Sequence, residues 1–455
     1  MDERDRGVEP TPENLVVPEG TVREACEGVD LPRMGTVEQI WETDPIPGDA
    51  VAGRAADAVD DLAFDGVPAG GEVAVGVGSR GIANLAAVVS GVVSGVREAG
   101  YDPFVFPAMG SHGGATADGQ RDKLATLGVT EASVDCEVRA TMDVVQVGET
   151  PDRNVPVYTD AHAADADAIL VVNRVKPHTD FDGRVESGLS KMLVIGAGKQ
   201  RGAKVAHDWA VDWSFRNMIP EIAEQLLEAL PVVGGVALVE DEHDDTTLVE
   251  GVPPDAFLDR EAELLELARE RMPTLPFDDL DVLVVDRLGK DVSGQGMDTN
   301  VTGRRHFTLN EPEPDSPAVG RVYARGLTDA TKGNAMGVGA ADFVHRDLAA
   351  EFDLEKSLIN AVTASTVRGV RLPPVVETDR AGLVAGLGTV GVVRASDARV
   401  LRVTDTMRLG RVHASEALVD VARDRDDLRV VEEPTPVAFG DAGDFVADSP
   451  DAPGE

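Results

Sequence analysis

The chain has 455 residues, 42% of them hydrophobic, and a formal net charge of -40 at pH 7. This length predicts two or three domains, and the hydrophobic fraction excludes a wholly disordered chain. Because so acidic a surface repels phosphates and anionic lipids, we exclude nucleic acids and membrane surfaces as its main partners.

Acidic residues are spread along the whole sequence, whereas lysine occurs at eight positions only. This composition is typical of a halophilic protein; an ordinary acidic cytosolic protein is the alternative. Cys26 and Cys136 are the only cysteines of the sequence, which is too few for a disulfide framework or a thiolate metal site. The charged start MDERDRGVEP and the lack of any run of roughly 18 apolar residues predict a cytoplasmic protein without a membrane span.

Short apolar runs alternate with helical patterns along the chain, and this alternation predicts an α/β fold. We expect flexible ends at 1–15 and 441–455. Between them we expect an N-terminal α/β domain over 16–275 and a C-terminal α/β domain over 276–440. The boundary is placed in PTLPFDDL (273–280), where prolines and acidic residues interrupt the pattern.

The clearest unit starts with the buried strand EVAVGVG (72–78), followed by the turn GSRG (78–81) and a helix over 85–96. Further predicted strands are FVFPA (104–108), AILVVN (168–173), MLVIG (192–196), GGVALVE (234–240) and DVLVVD (281–286). Predicted helices are 117–127, 219–230, 260–271, 322–346 and 348–366.

Three polar side chains follow predicted strands directly: Arg80, His112 and His178. In open parallel sheets, ligand sites form outside the carboxyl ends of the strands, so we expect these side chains to face one crevice. Taken singly, a histidine is more often a structural hydrogen-bonding residue than a catalyst, and Arg80 is compatible with an ordinary surface cation; the shared placement of the three favours function.

The segment 173–208 contains half of the lysines, at positions 176, 191, 199 and 204. Lysine differs from arginine in having an amine that can be deprotonated and act as a nucleophile. The clustering therefore indicates amine chemistry; chance or contacts to anions are the alternatives. His207 is the best candidate metal ligand, with His178 and His112 as rivals. Since the sequence has no HExxH and no paired-Cys pattern, an all-protein zinc site is not expected, whereas an organic cofactor could supply the other ligands.

The motifs GSRG, GSHGG (110–114), KPH (176–178) and SGLSK (187–191), with the stretch to His207, occur in a characteristic order and spacing. They resemble the nickel-pincer-nucleotide 2-hydroxyacid racemases and epimerases, the lactate racemase family. The similarity extends over about 70–345. It implies two α/β domains with parallel-type sheets and an active site in the cleft between the domains.

The resemblance also implies roles for the residues of the first domain. Lys191 corresponds to the lysine that holds the cofactor covalently, and His207, sixteen residues later, to the protein ligand of nickel. His112 and His178 correspond to the two acid/base histidines, and Arg80 to the arginine that binds the substrate carboxylate.

In the second domain the family carries a lysine after a D-x-N pair, and here Asp298 and Asn300 are followed by VTGRRH. Arg304 or Arg305 is expected to replace that lysine at the substrate, and Lys290 is another candidate, as a contact to the cofactor.

The implied reaction inverts C2 of a 2-hydroxyacid by removing and returning a hydride. The implied cofactor is a nickel-pincer nucleotide, a mononucleotide derived from a pyridinium thioacid, which separate enzymes make and load. Two departures, GVGSRG in place of a DxTRP-like sequence and a longer polar stretch after His178, indicate a divergent branch and a substrate larger than lactate, such as a sugar acid. The alternatives are a 2-hydroxyacid or sugar-acid redox or lyase enzyme on the same scaffold, and a non-catalytic protein that binds nickel or the cofactor.

Overall fold

The computed structural model describes residues 13–79, 81–305, 311–391, 393–446 and 448–450. The chain forms two compact units. We call Thr43–Met272 the central unit, and Met1–Glu42 together with Pro273–Glu455 the terminal unit. Both are built from helices and mostly parallel sheets, which confirms the predicted α/β class.

The N-terminal segment contributes β1 (Val16–Val17), α1 (Glu19–Ala25) and β2 (Arg33–Gln39) to the terminal unit. β1 pairs with Val375–Val376, and β2 lies between Arg411–Ser415 and Leu428–Pro436. The sequence predicts that these residues belong to the N-terminal domain. The structure differs because their strands pair with partners more than 300 residues away, and no local pattern reports such pairing.

The central unit has a five-stranded sheet in the order β4-β3-β7-β8-β9 and a separate antiparallel pair, β5-β6. Its strands are β3 (Glu72–Val77), β4 (Asp102–Pro107), β5 (Val144–Glu149), β6 (Pro156–Asp160), β7 (Ala168–Arg174), β8 (Val232–Glu240) and β9 (Thr246–Val252). Its helices are α2 (Gly48–Asp57), α3 (Leu85–Glu98), α4 (Ala117–Thr126), α5 (Glu131–Val134), α6 (Ala161–Asp165), α7 (Leu189–Lys191), α8 (Lys199–Trp213), α9 (Phe215–Ala229) and α10 (Phe257–Arg271).

The five-stranded sheet is buried on both faces. On β3, Val73 and Val75 point into the core formed with α2 and α3, while Ala74 points into the opposite core. Covering of both faces explains why its strands read as continuous apolar runs instead of alternating ones. α3 packs closely on α2 at Gly91 and Gly95, where a Cβ would overlap the carbonyl oxygens of Ala52 and Ala56.

The terminal unit has a nine-stranded sheet in the order β1-β13-β12-β11-β10-β14-β15-β2-β16. Its remaining strands are β10 (Asp279–Val285), β11 (Ala318–Ala324), β12 (Phe343–His345), β13 (Val375–Val376), β14 (Val400–Val403), β15 (Arg411–Ser415) and β16 (Leu428–Pro436). Its remaining helices are α11 (Thr299–Thr302), α12 (Arg346–Glu351), α13 (Leu354–Thr363), α14 (Asp379–Thr389) and α15 (Glu416–Ala422).

The predicted helix over 322–346 is wrong. The segment contains the end of β11, short 3-10 turns at Asp329–Thr331 and Val338–Ala340, and β12. Gly333 and Gly337 have φ of 86° and 93°, which a right-handed helix does not allow. The apolar residues of this stretch thus serve two short strands and the turns between them.

Candidate functional site

Three neighbouring parallel strands of the central unit, β4, β3 and β7, end at the same edge of the sheet. Ser79 follows β3, His112 follows β4 and His178 follows β7. The loops that carry the two histidines leave the same edge of the sheet, because their strands flank β3. Arg80, predicted for the same edge, lies outside the described residues.

His112 is held by the neighbouring loop. The Nδ1 of its exposed imidazole is hydrogen-bonded to the Oγ of Ser79, which is buried. The loop that carries His112 is fixed by the buried Gln120, whose Nε2 donates to the carbonyls of Gly110 at 2.8 Å and of His112 at 3.3 Å. The imidazole therefore has a defined orientation on an anchored backbone, although it faces solvent.

His178 begins a loop whose ends are joined by backbone hydrogen bonds between Lys176 and Ser187. Its backbone N–H donates to Oε2 of the buried Glu186 at 2.5 Å, and its Nδ1 accepts from the N–H of Asp180 at 3.0 Å. Because Nδ1 is an acceptor here, the neutral imidazole carries its proton on Nε2. The contact to the Asp180 N–H thereby fixes the orientation of the His178 ring.

Lys191 ends the short helix α7 and is half-buried. Residues 192–196, predicted as a strand, form instead a π-helical turn, Met192–Gly196, in which the N–H of Ala197 donates to the carbonyl of Met192. The prediction is wrong because a short buried apolar run is compatible with either structure. Single π turns are frequent at functional sites.

The Lys191 segment packs on the sheet edge that carries the histidine loops. Asn173, in β7, donates from Nδ2 to the carbonyl of Gly188 at 3.0 Å. The N–H of Gly110, in the His112 loop, donates to the carbonyl of Gly196 at 3.0 Å. A Cβ at Gly78 would lie only 3.3 Å from the Met192 sulfur, so Met192 packs closely on the end of β3. Lys191 therefore lies between two residues, Gly188 and Met192, that both contact the sheet.

A series of ring contacts connects His178 with His207. The His178 ring stacks on Phe181 with centroids 4.6 Å apart, Phe181 packs against Phe215 at 5.6 Å, and the Phe215 ring meets the His207 ring edge-on at 5.2 Å. Phe181 is buried, and Phe215 starts α9 directly after α8 ends. Sequence reasoning did not identify these two phenylalanines, because single aromatic residues carry no local signal of a contact over this distance.

The surroundings of His207 lower the pKa of its imidazole. Burial lowers the pKa of His207, and the positive charge of Lys191 lowers it further, while Asp208 acts in the opposite direction. A lowered pKa keeps the imidazole neutral near pH 7, and the neutral form is the one that binds a metal. The described part of the chain has no group of three or more His, Cys, Asp or Glu side chains that could hold a metal ion.

These features fit a metal that is held by one protein ligand and a lysine-bound organic group. His207 would provide a neutral imidazole, Lys191 would provide the amine that bears the organic group, and the other ligands would come from the group itself.

The other lysines of the 173–208 segment have structural contacts. Lys199 is fully buried, forms a 2.9 Å ion pair with Asp160, and donates to the carbonyl of Pro107 and, at 3.0 Å, to Oε1 of Gln120. It thus supports the side chain that anchors the His112 loop. Lys204 is exposed and pairs with Asp208 one helical turn later, and the backbone of Lys176 closes the His178 loop.

In the terminal unit, the cations expected near a ligand have different surroundings. Arg304 is buried and donates to Asp342 at 2.6 Å and to the carbonyls of Val319 and Gly320 at 2.8 Å. These contacts tie it to the protein interior, which differs from the substrate-binding role expected for it. Lys290 is exposed and donates to Oδ1 of Asn360 at 2.8 Å.

Arg305, the neighbouring alternative, is linked to the D-x-N pair. It is buried and donates from one terminal nitrogen to Oδ1 of Asn300 at 2.8 Å, and Asn300 donates from Nδ2 to Asp298 at 3.0 Å. Of the two arginines, Arg305 is therefore the one that is hydrogen-bonded to the D-x-N pair, Asp298 and Asn300.

Neither a family model nor a curated protein matches the chain. Among solved structures, the lactate racemase apoprotein from Thermoanaerobacterium thermosaccharolyticum matches with a TM-score of 0.43 and 10% identity, over 82% of this chain and 89% of that one. A likeness of this size says nothing about the residues of the site. Within the described residues, none of the helices has both the length and the apolar character that crossing a membrane demands.

Proposed function

We propose that this protein inverts C2 of a 2-hydroxycarboxylate, with a nickel-pincer nucleotide bound covalently to Lys191 and its nickel bound by His207. One observation carries the proposal. Lys191 and His207 lie close enough for the lysine charge to lower the pKa of the imidazole, on a segment that packs against the His112 loop and connects to His178.

The chain's own groups suit these roles. The Lys191 amine is the nucleophile that can form the covalent link, and the neutral His207 imidazole offers a lone pair to a metal. When bound, the cofactor supplies a ring that accepts a hydride from C2 and returns it; the difficult chemistry is thus its own.

His112 and His178 would move the hydroxyl proton of the substrate. The two stereoisomers present that hydroxyl in different directions, so one imidazole is needed for each, and a pKa near the working pH suits both. The N–H of Asp180 orients His178 through Nδ1, and Ser79 orients His112 through Nδ1. The imidazoles come from strands on either side of β3, which suits approach to one reacting centre from two directions.

Arg80, next to Ser79 in the sequence, is proposed to bind the substrate carboxylate through a bidentate pair and so fix C2. In the terminal unit, the roles that the resemblance implies for Lys290 and Arg305 stay predictions. The polar loop from His178 to Glu186 favours a substrate with more hydroxyl groups than lactate.

The test uses protein made together with cofactor-loading enzymes and a panel of 2-hydroxyacids deuterated at C2. We expect inversion with the deuterium retained at C2, because the hydride leaves and returns without meeting solvent. Inversion with wash-out of deuterium into water would overturn the hydride mechanism. Oxidation or elimination of the same substrates without inversion would replace it with the redox or lyase alternative.

A further inference from the structure

Helix α10 carries none of the residues assigned to the site. It contacts two of the segments that carry them, the turn that ends in Lys191 and the loop that begins at His178. Its buried side is formed by a stripe of apolar residues at helical spacing, Phe257, Leu264, Leu265 and Ala268, and by one acidic residue, Glu261. A carboxylate in the middle of such a stripe is costly unless it is hydrogen-bonded. Its hydrogen-bond partners therefore determine whether this carboxylate is tolerated in the interior.

Glu261 holds the start of the turn that ends in Lys191. Its Oε2 accepts from the backbone N–H of Ser190 at 2.8 Å and from the Ser190 hydroxyl at 2.6 Å. The Leu189 amide also favours the ionised form. A Cβ at Gly188 would overlap Oε1, so this position requires glycine for the close approach of the carboxyl group. Three successive residues before Lys191 are thus fitted to one buried side chain.

Arg269 lies eight residues further along α10, about 12 Å along the axis. Its guanidinium pairs with Oε1 of the buried Glu186. The same carboxylate accepts from the backbone N–H groups of His178 at 2.5 Å and of Gly183 at 2.9 Å. Arg269 therefore compensates the charge that anchors the His178 loop.

We propose that α10 is a positioning helix that fixes the Lys191 turn through Glu261 and the His178 loop through Arg269 and Glu186. This inference rests on the proposed function for the meaning of Lys191 and His178, but its contacts exist in the apoprotein. Neither Glu261 nor Arg269 is a catalytic residue in this account, because each acts through the backbone of another segment.

The first test measures the reactivity of Lys191 in the apoprotein. A trace amine-acylating reagent is applied at fixed pH, and peptide mass spectrometry gives the labelling rate of Lys191 relative to the exposed Lys204. In Glu261→Leu we expect this ratio to rise at least fivefold, because the turn loses its acceptor and the half-buried amine becomes accessible.

Two control variants accompany Glu261→Leu. Glu261→Gln keeps one acceptor oxygen, and its labelling ratio should stay within twofold of the wild type. Glu263→Gln, on the exposed side of α10, is the matched control and should not change the ratio.

A folded Glu261→Leu protein with an unchanged Lys191 ratio would overturn the role of Glu261. If that variant does not fold, Ser190→Ala replaces it, since it removes the 2.6 Å hydroxyl contact alone. There we expect a ratio at least twofold above the wild type, and an unchanged ratio would again overturn the role. Because no cofactor is present in this assay, its failure is distinct from failure of the proposed function.

The second test measures the reactivity of His178 toward diethyl pyrocarbonate, relative to the exposed His243. Arg269→Gln should change the His178 ratio at least threefold, and Glu266→Gln, which removes only the other, exposed partner of Arg269, should not. An unchanged ratio in Arg269→Gln would overturn the second half of the proposal.

Discussion

Lys191 and His207 are sixteen residues apart in sequence, and the structure places them close enough for the lysine ammonium to lower the pKa of the histidine imidazole. The π turn Met192–Gly196 and the first half of α8 form the connection between them. A positive charge beside a half-buried imidazole is unfavourable for a histidine that must be protonated. It is suitable for a histidine that must remain a neutral ligand, especially if the amine is later consumed in a covalent link.

Replacing His207 should remove nickel without unfolding the protein. His207 is half-buried and meets Phe215 with its edge, so His207→Ala removes a ligand and one ring contact. We expect loaded protein to lose most of its nickel, measured by elemental analysis, with unchanged far-UV circular dichroism. His162→Ala is the control and should retain nickel. Nickel that remains stoichiometric in His207→Ala would refute the ligand assignment.

Removing the Ser79 hydroxyl should slow inversion of both stereoisomers. Ser79 contacts Nδ1 of His112, whereas Nδ1 of His178 has its own partner in the Asp180 N–H. Ser79→Ala should lower kcat/KM about tenfold for both stereoisomers, less than the 10²–10⁴-fold that losing an acid/base group costs. The two losses should be equal, because each direction uses one imidazole to take the hydroxyl proton and the other to return it. An unchanged kcat/KM in Ser79→Ala, measured from initial rates, would argue against this role.

The buried pair of Lys199 and Asp160 should be important for stability. Lys199→Met leaves an uncompensated carboxylate in the interior, which costs about 3–5 kcal/mol in the free energy of unfolding. The double variant Lys199→Met/Asp160→Asn should recover part of this loss, because Asn keeps the oxygen that caps α6. Urea unfolding measures the free energy of unfolding of both variants. A Lys199→Met variant as stable as the wild type would show that the pair contributes nothing to that free energy.

Glu261 should make stability depend on pH. Burial raises its pKa to about 7, against hydrogen bonds from Ser190 that lower it, and the unfolded chain titrates near the ordinary value of 4.5. Between these two values the native state binds more protons than the unfolded state, so the Glu261 contribution to stability falls as pH rises from about 4.5 to 7 and is constant above. Glu261→Gln should therefore gain stability relative to the wild type on going from pH 5 to pH 8.

Urea midpoints at the two pH values measure this effect. Glu263→Gln, an exposed change on the same helix, should follow the wild type at both. If the difference between Glu261→Gln and the wild type is the same at pH 5 and pH 8, Glu261 is not protonated in the native state at pH 5 to 7.

Local patterns in the sequence were sufficient for the β3-turn-α3 unit. The valines of 85–96 fall on one helical face, and α3 extends over Leu85–Glu98. They were also sufficient to place His112 and His178 after parallel strands, because strand ends in a βαβ fold share an edge. They failed for Met192–Gly196 and for 322–346, where buried apolar residues or glycines with positive φ decide the conformation.

The supporting residues of the site were missed for a different reason. Glu261 contacts Ser190 across 71 residues, and Arg269 contacts Glu186 across 83. No pattern within one element reports such a partner. One signal was available, since Glu261 lies four residues after Phe257 and three before Leu264, in the buried stripe of a predicted helix. The interior contacts of Arg304 carried no comparable signal, because polar partners in two separate segments determine them.

The most direct test of the central claim is peptide mass spectrometry on protein isolated from its native cells, with nickel analysis of the same sample. The account predicts a covalent adduct of nucleotide mass on the peptide containing Lys191, together with a stoichiometric amount of nickel, and no adduct in Lys191→Ala. An unmodified Lys191 in nickel-free native protein would contradict it and would leave Ser79, His112 and His178 as the site of a different reaction.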